Sequence, residues 1–109
     1  MTPSRQTALI TGAGNGIGRA IAIAMAENDR NVVCADIDLS AAETTAATIR
    51  QLGVEATALK VDVGETSEIS NMIQDIERQF GRLDILVNNA GVTRAADIME
   101  LTEADWDKI

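Results

Sequence analysis

The eight residues TGAGNGIG, positions 11–18, are the strongest fold signal in this 109-residue chain. A short apolar segment, residues 7–10, comes before them, and a segment with helical character, residues 19–26, follows. Glycines between a buried strand and a helix let the backbone approach a diphosphate, and the helix N-terminus offers N–H groups and a partial positive charge. The stretch therefore predicts a nucleotide site at a strand–helix turn.

The spacing of these glycines is T-G-x-x-x-G-x-G, carried by Gly12, Gly16 and Gly18. It is not the strict G-x-G-x-x-G, whose third glycine would fall on Ile17, and the extra room predicts a looser turn before the helix. Methyltransferases and other α/β proteins share glycine-rich loops, and such a loop can also be a tight turn without a ligand. Other positions must therefore support the nucleotide interpretation.

Strand and helix signals alternate along the chain. Apolar runs predict strands at residues 7–11, 31–36, 56–61 and 83–87. Apolar periodicity predicts helices at residues 17–27, from Ser40 to about Leu52, and through residues 69–80 to a stop at Gly81, with a further helix beginning near Thr102. This alternation predicts an α/β fold, a partial Rossmann-type doubly wound parallel sheet with strand order 3-2-1-4. Residues 1–109 are expected to form a single dinucleotide-binding domain.

Two of these helices carry more detailed expectations. The first is expected to place Ile17, Ile21, Ala24 and Met25 on one face. The second begins with Ser40 and Glu43 at capping-box spacing, so Ser40 is expected to be its N-cap.

An acidic residue, Asp36, ends the second predicted strand, 18 residues after Gly18. A carboxylate there accepts hydrogen bonds from an adenosine ribose and repels a 2′-phosphate, which favours NAD over NADP. Asn15, within the glycine loop, also favours NAD, because its side chain carries no positive charge to bind a 2′-phosphate. The alternative is that Asp36, with Asp38, only caps the next helix.

Polar residues follow the third and fourth predicted strands as well. Asp62, before Val63, could accept a hydrogen bond from an adenine amino group, or it could be a solvated acid at a strand end. The run 88–91, NNAG, combines two amides with small residues that permit close packing beside the glycine loop, although alone it could be a turn.

These motifs, in this order and at these intervals, resemble the short-chain dehydrogenase/reductase family over residues 7–109. The resemblance implies an NAD(P)-dependent oxidoreductase that moves a hydride between nicotinamide and an alcohol or ketone carbon, acts on a small molecule and forms a homo-oligomer. It assigns the diphosphate and ribose loop to Gly12, Asn15, Gly16, Ile17 and Gly18. It assigns the adenosine contacts to Asp36, Ile37, Asp62 and Val63, and the nicotinamide-side ribose to Asn89, Ala90 and Gly91. Asn88 has a structural role in this assignment.

The chain departs from the family in its chemistry. The family's proton relay uses a Tyr and a Lys in a Y-x-x-x-K pattern, with a Ser and an Asn, and this sequence contains no Tyr and no His. No catalytic residue is therefore assigned. We expect the chain to be the N-terminal, cofactor-binding half of a longer enzyme, without turnover of its own. The alternative is a stand-alone NAD-binding module without catalysis.

Composition narrows the partners. A net charge of −8 disfavours nucleic acid and anionic membranes at long range. The sequence has no cluster of metal ligands at a recognisable spacing, no apolar run long enough for a membrane span and no signal-peptide core. Cys34, the only cysteine, lies in an apolar run and is expected to be a buried, inert thiol. These features favour a cytoplasmic protein.

Overall fold

Parallel strands and helices alternate in the computed structural model, which describes residues 5–62 and 64–89. The strands are β1 (Thr7–Thr11), β2 (Asn31–Asp36), β3 (Ala56–Lys60) and β4 (Ile85–Asn88). The helices are α1 (Gly16–Glu27), α2 (Leu39–Arg50) and α3 (Thr66–Phe80). The strands form one parallel sheet in the order β3-β2-β1-β4, which confirms the predicted α/β class and strand order.

Helices cover the sheet on both faces, as expected for near-continuous apolar strands. Alternate residues of β1 point to opposite faces, so Ile10 packs in the cluster with α1 and α2, while Leu9 packs in the cluster with α3. All five residues of β1 are buried. Because β1 is central and immobilised on both faces, the loop that follows it starts from a fixed position.

The buried residues of α1 are all small. These are Gly18, Ala22 and Ala26. The predicted face was wrong for Ile17, which is 72% exposed, and for Ala24, which is also exposed. Small residues at this spacing let the helix axis approach the sheet closely, and the larger Ile21 and Met25 pack at the edge of the contact.

Helix α2 begins earlier than the capping-box pattern predicts. Its N-cap is Asp38, whose carboxylate accepts a hydrogen bond from Ala41 N at 3.2 Å. The prediction that Ser40 is the N-cap was wrong, because the chain has already turned at Asp38, where the backbone N–H donates to Asp36 Oδ1 at 3.0 Å. The helix ends at Arg50, and Gly53 lies in the following turn with φ +91°.

Helix α3 follows its predicted pattern. Its buried residues are Ile69, Met72, Ile73 and Ile76. Gly81 ends the helix in the left-handed conformation, with φ +78°, as predicted. No helix within residues 5–62 and 64–89 is long and apolar enough to cross a membrane. The helix predicted near Thr102 lies outside the described residues.

Candidate cofactor site

The carboxyl edge of the sheet brings together residues that follow each of its strands. The loop 12–15 follows β1, Asp36 ends β2, Asp62 follows β3 and Asn89 follows β4. Asn89 Nδ2 donates to Gly12 O at 3.4 Å, so the loop and the end of β4 are neighbours. Asp62 is exposed and its Oδ1 accepts a hydrogen bond from Gly64 N at 2.9 Å within its own turn. Val63, Ala90 and Gly91 lie outside the described residues.

Three glycines in the loop meet two different physical requirements. Gly12 and Gly16 adopt φ +63° and +56°, the left-handed region in which a side chain is strained. Gly18 is needed for space, because a Cβ on it would lie 2.0 Å from Gly12 O and 2.7 Å from Asn89 Nδ2. The T-G-x-x-x-G-x-G spacing therefore places a left-handed residue at each end of the loop, Gly12 and Gly16. The third glycine, Gly18, lets the first turn of α1 pack against Gly12.

The N-terminus of α1 differs from the other two in its electrostatics. Asp38 caps α2 with a carboxylate, and Glu68 lies in the first turn of α3. Asn15, the N-cap of α1, makes no side-chain capping bond, and no acidic residue occupies the first turn of α1. Within the described residues, α1 thus has no acidic side chain in its own first turn, and the carboxylate of Asp36 accepts from Gly14 N, one residue before the N-cap. An anion bound at this loop would therefore meet N–H groups and a favourable dipole.

The carboxylate of Asp36 lies directly against the glycine loop. Its Oδ2 accepts a hydrogen bond from Gly14 N at 2.9 Å. The N-cap of α2 is Asp38, so the carboxylate of Asp36 is not needed for that function and instead contacts the loop. Each carboxylate oxygen can accept a further hydrogen bond, so these internal contacts leave acceptor capacity for a ligand hydroxyl. In the strand register, Lys60 lies beside Asp36, and no ion pair joins the two within the described residues.

Exposed apolar side chains lie around the same edge. Ile17 is 72% exposed, Ile37 64% and Leu39 42%. Ile17 is in the first turn of α1, and the other two flank the turn between β2 and α2. Apolar surface beside a positive helix terminus and a carboxylate suits a ligand with a flat aromatic base, a ribose and a diphosphate.

Two residues at this site do not appear among the sequence-predicted ones. Thr45, buried on α2, donates its hydroxyl to Ala13 O at 2.9 Å. A Cβ on Gly14 would lie 2.5 Å from Ala41 Cβ and 2.9 Å from Asp36 Oδ2. Gly14 was within the quoted stretch, but its need for space follows from where α2 packs. Nothing near Thr45 in the sequence indicates its partner.

The clearest pKa shifts in the described part of the chain fall on Cys34 and on the Arg82–Asp84 pair. Burial raises the pKa of the Cys34 thiol to about 12, which confirms the predicted buried cysteine. The Arg82 guanidinium, by hydrogen bonding, lowers the pKa of Asp84, but both lie at the opposite, amino edge of the sheet. No group of three or more possible metal ligands occurs in the part that the structure describes.

Thr11 and Asn88 connect the two strands beside the loop. The Thr11 hydroxyl donates to Asn88 Oδ1 at 2.6 Å, across the register pair that ends β1 and β4. Asn88 is therefore the last residue of β4 and not part of the loop after it. This contact aligns Asn89, the next residue, with Gly12.

A parallel sheet with this loop at the switch between β1 and β4 defines a Rossmann-type nucleotide-binding fold. The chain belongs to the short-chain dehydrogenase family, whose model matches residues 6–109. This confirms the family that the motifs resemble.

Named relatives agree with this membership. The chain is 40% identical over 105 residues to the 3-oxoacyl-(acyl-carrier-protein) reductase FabG of Staphylococcus aureus, covering 95% of this chain and 43% of that protein. It is 39% identical over 109 residues to galactitol 2-dehydrogenase of Agrobacterium fabrum, covering 100% of this chain and 41% of that protein. The chain thus spans less than half the length of the curated relatives it matches.

Solved structures with the same fold include two dehydrogenases. Hydroxysteroid dehydrogenase from Escherichia coli is 42% identical with a TM-score of 0.77, covering 81% of this chain and 37% of that one. A xylitol dehydrogenase solved with NAD⁺ bound is 32% identical with a TM-score of 0.73, covering 76% of this chain and 32% of that one.

Proposed function

We propose that the carboxyl edge of this sheet binds a nicotinamide dinucleotide, and that the chain is the cofactor-binding part of an oxidoreductase acting on a small alcohol or ketone. The observation that carries the proposal is the first turn of α1. There, Gly18 lets the helix start in contact with Gly12 O, and among the described residues no acidic side chain occupies that turn. The bound nicotinamide supplies the hydride acceptor or donor, and the chain supplies binding and orientation.

Each predicted residue has a part in this proposal. The loop residues Gly12, Asn15, Gly16, Ile17 and Gly18 would hold the diphosphate by backbone N–H groups. Asp36 would accept from the adenosine ribose, with Ile37 beside the base. Asp62 and Val63 would contact the adenine, and Asn89, Ala90 and Gly91 would lie beside the nicotinamide ribose.

We propose NAD as the preferred cofactor over NADP. The support is the position of Asp36, whose carboxylate lies within a hydrogen bond of Gly14 N and would repel a 2′-phosphate on the same ribose. Lys60, which pairs with Asp36 in the strand register, acts in the opposite direction, because its ammonium would attract a 2′-phosphate and favour NADP. A carboxylate bonded directly to the loop is better placed than an exposed lysine at a strand end. Two related structures, the xylitol dehydrogenase and a putative D-mannonate oxidoreductase, were solved with NAD bound.

The named relatives are reductases and dehydrogenases, which favours an oxidoreductase over a non-catalytic NAD-binding module. Because the chain holds no Tyr and no His, the proton donor or acceptor of the family's relay does not come from these residues. We further propose a homo-oligomer, as the family resemblance implies, in the cytoplasm, as the single cysteine favours. The charge of −8 supports the proposal that it binds neither nucleic acid nor anionic membranes.

Calorimetric titration of the intact protein with NAD, NADP and adenosine tests the binding proposal. We expect NAD to bind more tightly than NADP, and both more tightly than adenosine, because only the dinucleotides reach the α1 terminus. Absence of dinucleotide binding refutes the proposal. This chain by itself is expected to bind without turnover under both hypotheses, so hydride transfer to a panel of alcohols and ketones is assayed with the full-length protein, where binding without turnover supports the non-catalytic module instead.

A further inference from the structure

One peptide group of the glycine loop is held at both of its ends by side chains from outside the loop. It joins Ala13 to Gly14. Its carbonyl oxygen accepts the Thr45 hydroxyl at 2.9 Å, and its N–H donates to Asp36 Oδ2 at 2.9 Å. The preceding N–H, of Ala13, donates to Ala35 O at 3.1 Å. The orientation of this peptide plane is therefore fixed by β2 and α2.

The geometry around the peptide leaves little room for another arrangement. Thr45 is fully buried, and its hydroxyl also lies 3.4 Å from Ala41 O of its own helix. A Cβ at Gly14 would meet Ala41 Cβ at 2.5 Å, so the N-terminal turn of α2 packs directly on the peptide. Ala13 is itself fully buried, so its carbonyl has no easy access to water if the hydroxyl is lost.

The direction of this peptide sets the direction of the chain that follows it. Asn15 is the next residue, and Gly16 begins α1 with φ +56°. A rotation of the Ala13–Gly14 plane would turn the first N–H groups of α1 away from the sheet edge. Because a hydrogen bond weakens steeply once the donor angle falls below about 120°, a rotation that turned these N–H groups away would reduce diphosphate binding.

We propose that Thr45 is a positioning residue for the cofactor: with Asp36 it clamps the Ala13–Gly14 peptide and so aims the first turn of α1 at the diphosphate. This inference rests on the proposed cofactor function. It assigns to Thr45, which would not touch the cofactor, a contribution to the affinity for any ligand that carries the diphosphate.

The variant Thr45→Val removes the hydroxyl and keeps the branched shape. Thr45→Ser keeps the hydroxyl and removes the methyl. The matched control is Thr44→Val, because Thr44 donates only to its own helix, to Ser40 O at 3.1 Å, and is exposed. Affinities of the intact protein for NAD and ADP-ribose are measured by calorimetry and for adenosine by NMR titration.

We expect Thr45→Val to lower the affinity for NAD and for ADP-ribose about fivefold, as for the loss of one net hydrogen bond, and to leave the affinity for adenosine unchanged. Thr45→Ser and Thr44→Val should stay within about twofold of wild type for all three ligands. An equal loss for adenosine, the same loss in Thr44→Val, or no loss in Thr45→Val overturns the clamp.

Amide hydrogen exchange separates the clamp from the cofactor proposal. Without any ligand, the Gly14 amide should exchange about fivefold faster in Thr45→Val than in Thr44→Val, while the β1 amides stay protected in both. Equal Gly14 exchange in the two variants overturns the clamp. If wild type binds no dinucleotide, the proposed function fails, and this exchange ratio still decides whether the clamp exists.

Discussion

Replacement of Asp36 by alanine is the sharpest test of cofactor preference. The carboxylate takes part in three proposed or observed contacts: Gly14 N at 2.9 Å, Asp38 N at 3.0 Å and, in the complex, a ribose hydroxyl. The ribose contact is a hydrogen bond to a charged acceptor, and its loss costs about 1–3 kcal/mol. We therefore expect NAD to bind roughly fivefold to 150-fold more weakly to Asp36→Ala.

The same substitution acts in the opposite direction on NADP. Two like unit charges 4 Å apart repel by about 1 kcal/mol in water and by more near a protein surface, so removing the carboxylate relieves at least that much. Lys60, the register partner of Asp36, then remains as a cation that would attract a 2′-phosphate. Loss of the hydrogen bond from Gly14 N to Asp36 lowers the affinity for both cofactors equally, because both carry the same diphosphate. The ratio of the two affinities isolates the ribose effect, and we expect it to shift toward NADP at least about 30-fold, for a combined change of about 2 kcal/mol.

Calorimetric titration of the intact variants with NAD and NADP measures this ratio. Asp38→Ala is the control, since it removes a neighbouring carboxylate that caps α2 but does not touch the loop. That variant should lose about 1 kcal/mol of unfolding free energy, as for a lost N-cap, with the NAD/NADP ratio unchanged. The assignment of Asp36 to the ribose is wrong if the ratio is the same in Asp36→Ala and wild type.

Three further outcomes follow from the geometry. Gly18→Ala should abolish measurable NAD binding in calorimetry, because its Cβ would lie 2.0 Å from a backbone oxygen. Gly53→Ala is the control: the residue has φ +91° and no atom within 4 Å of a Cβ, so this variant should lose stability but still bind NAD. Cys34, with its pKa raised to about 12 by burial, should resist iodoacetamide at pH 8 until urea unfolds the protein, and rapid labelling of the native protein would contradict this. The hydrogen bond from Arg82 lowers the pKa of Asp84 in the folded protein below its value of about 4 in the unfolded chain. The pair therefore stabilises the fold fully above pH 4, and this stabilisation is lost as the pH falls through the pKa of Asp84 in the folded protein. Urea unfolding should therefore show a steeper acid loss of stability in wild type than in Asp84→Asn, and identical slopes would refute the pairing.

The sheet could be predicted from the sequence because its central strands, β1 and β2, are buried on both faces. An apolar run such as residues 31–36 is then unambiguous, and the intervening helical segments permit only parallel crossovers of one hand. Strand order followed from that rule together with the position of the glycine loop. The loop itself was recognisable because a positive φ, as at Gly12 and Gly16, leaves a direct mark on the sequence.

The face of α1 could not be assigned correctly from hydrophobicity alone. Periodicity weights Ile17 above Gly18 and Ala22, yet the closest contact with the sheet needs the smallest residues. Ile17 is then left exposed beside the loop, where its apolar side chain suits a ligand more than a core.

The orientation of the loop depends on contacts that no local pattern records. Gly14 must be glycine because α2 packs on it, and Thr45 lies 32 residues from the carbonyl that it binds. Both contacts exist only once β2 and α2 have docked beside β1. The glycine motif therefore permits the turn, while the segment from Asp36 to Thr45 selects which of the permitted turns is formed. A substitution on the hidden side of α2 should for this reason change cofactor affinity, although no residue there would touch the cofactor.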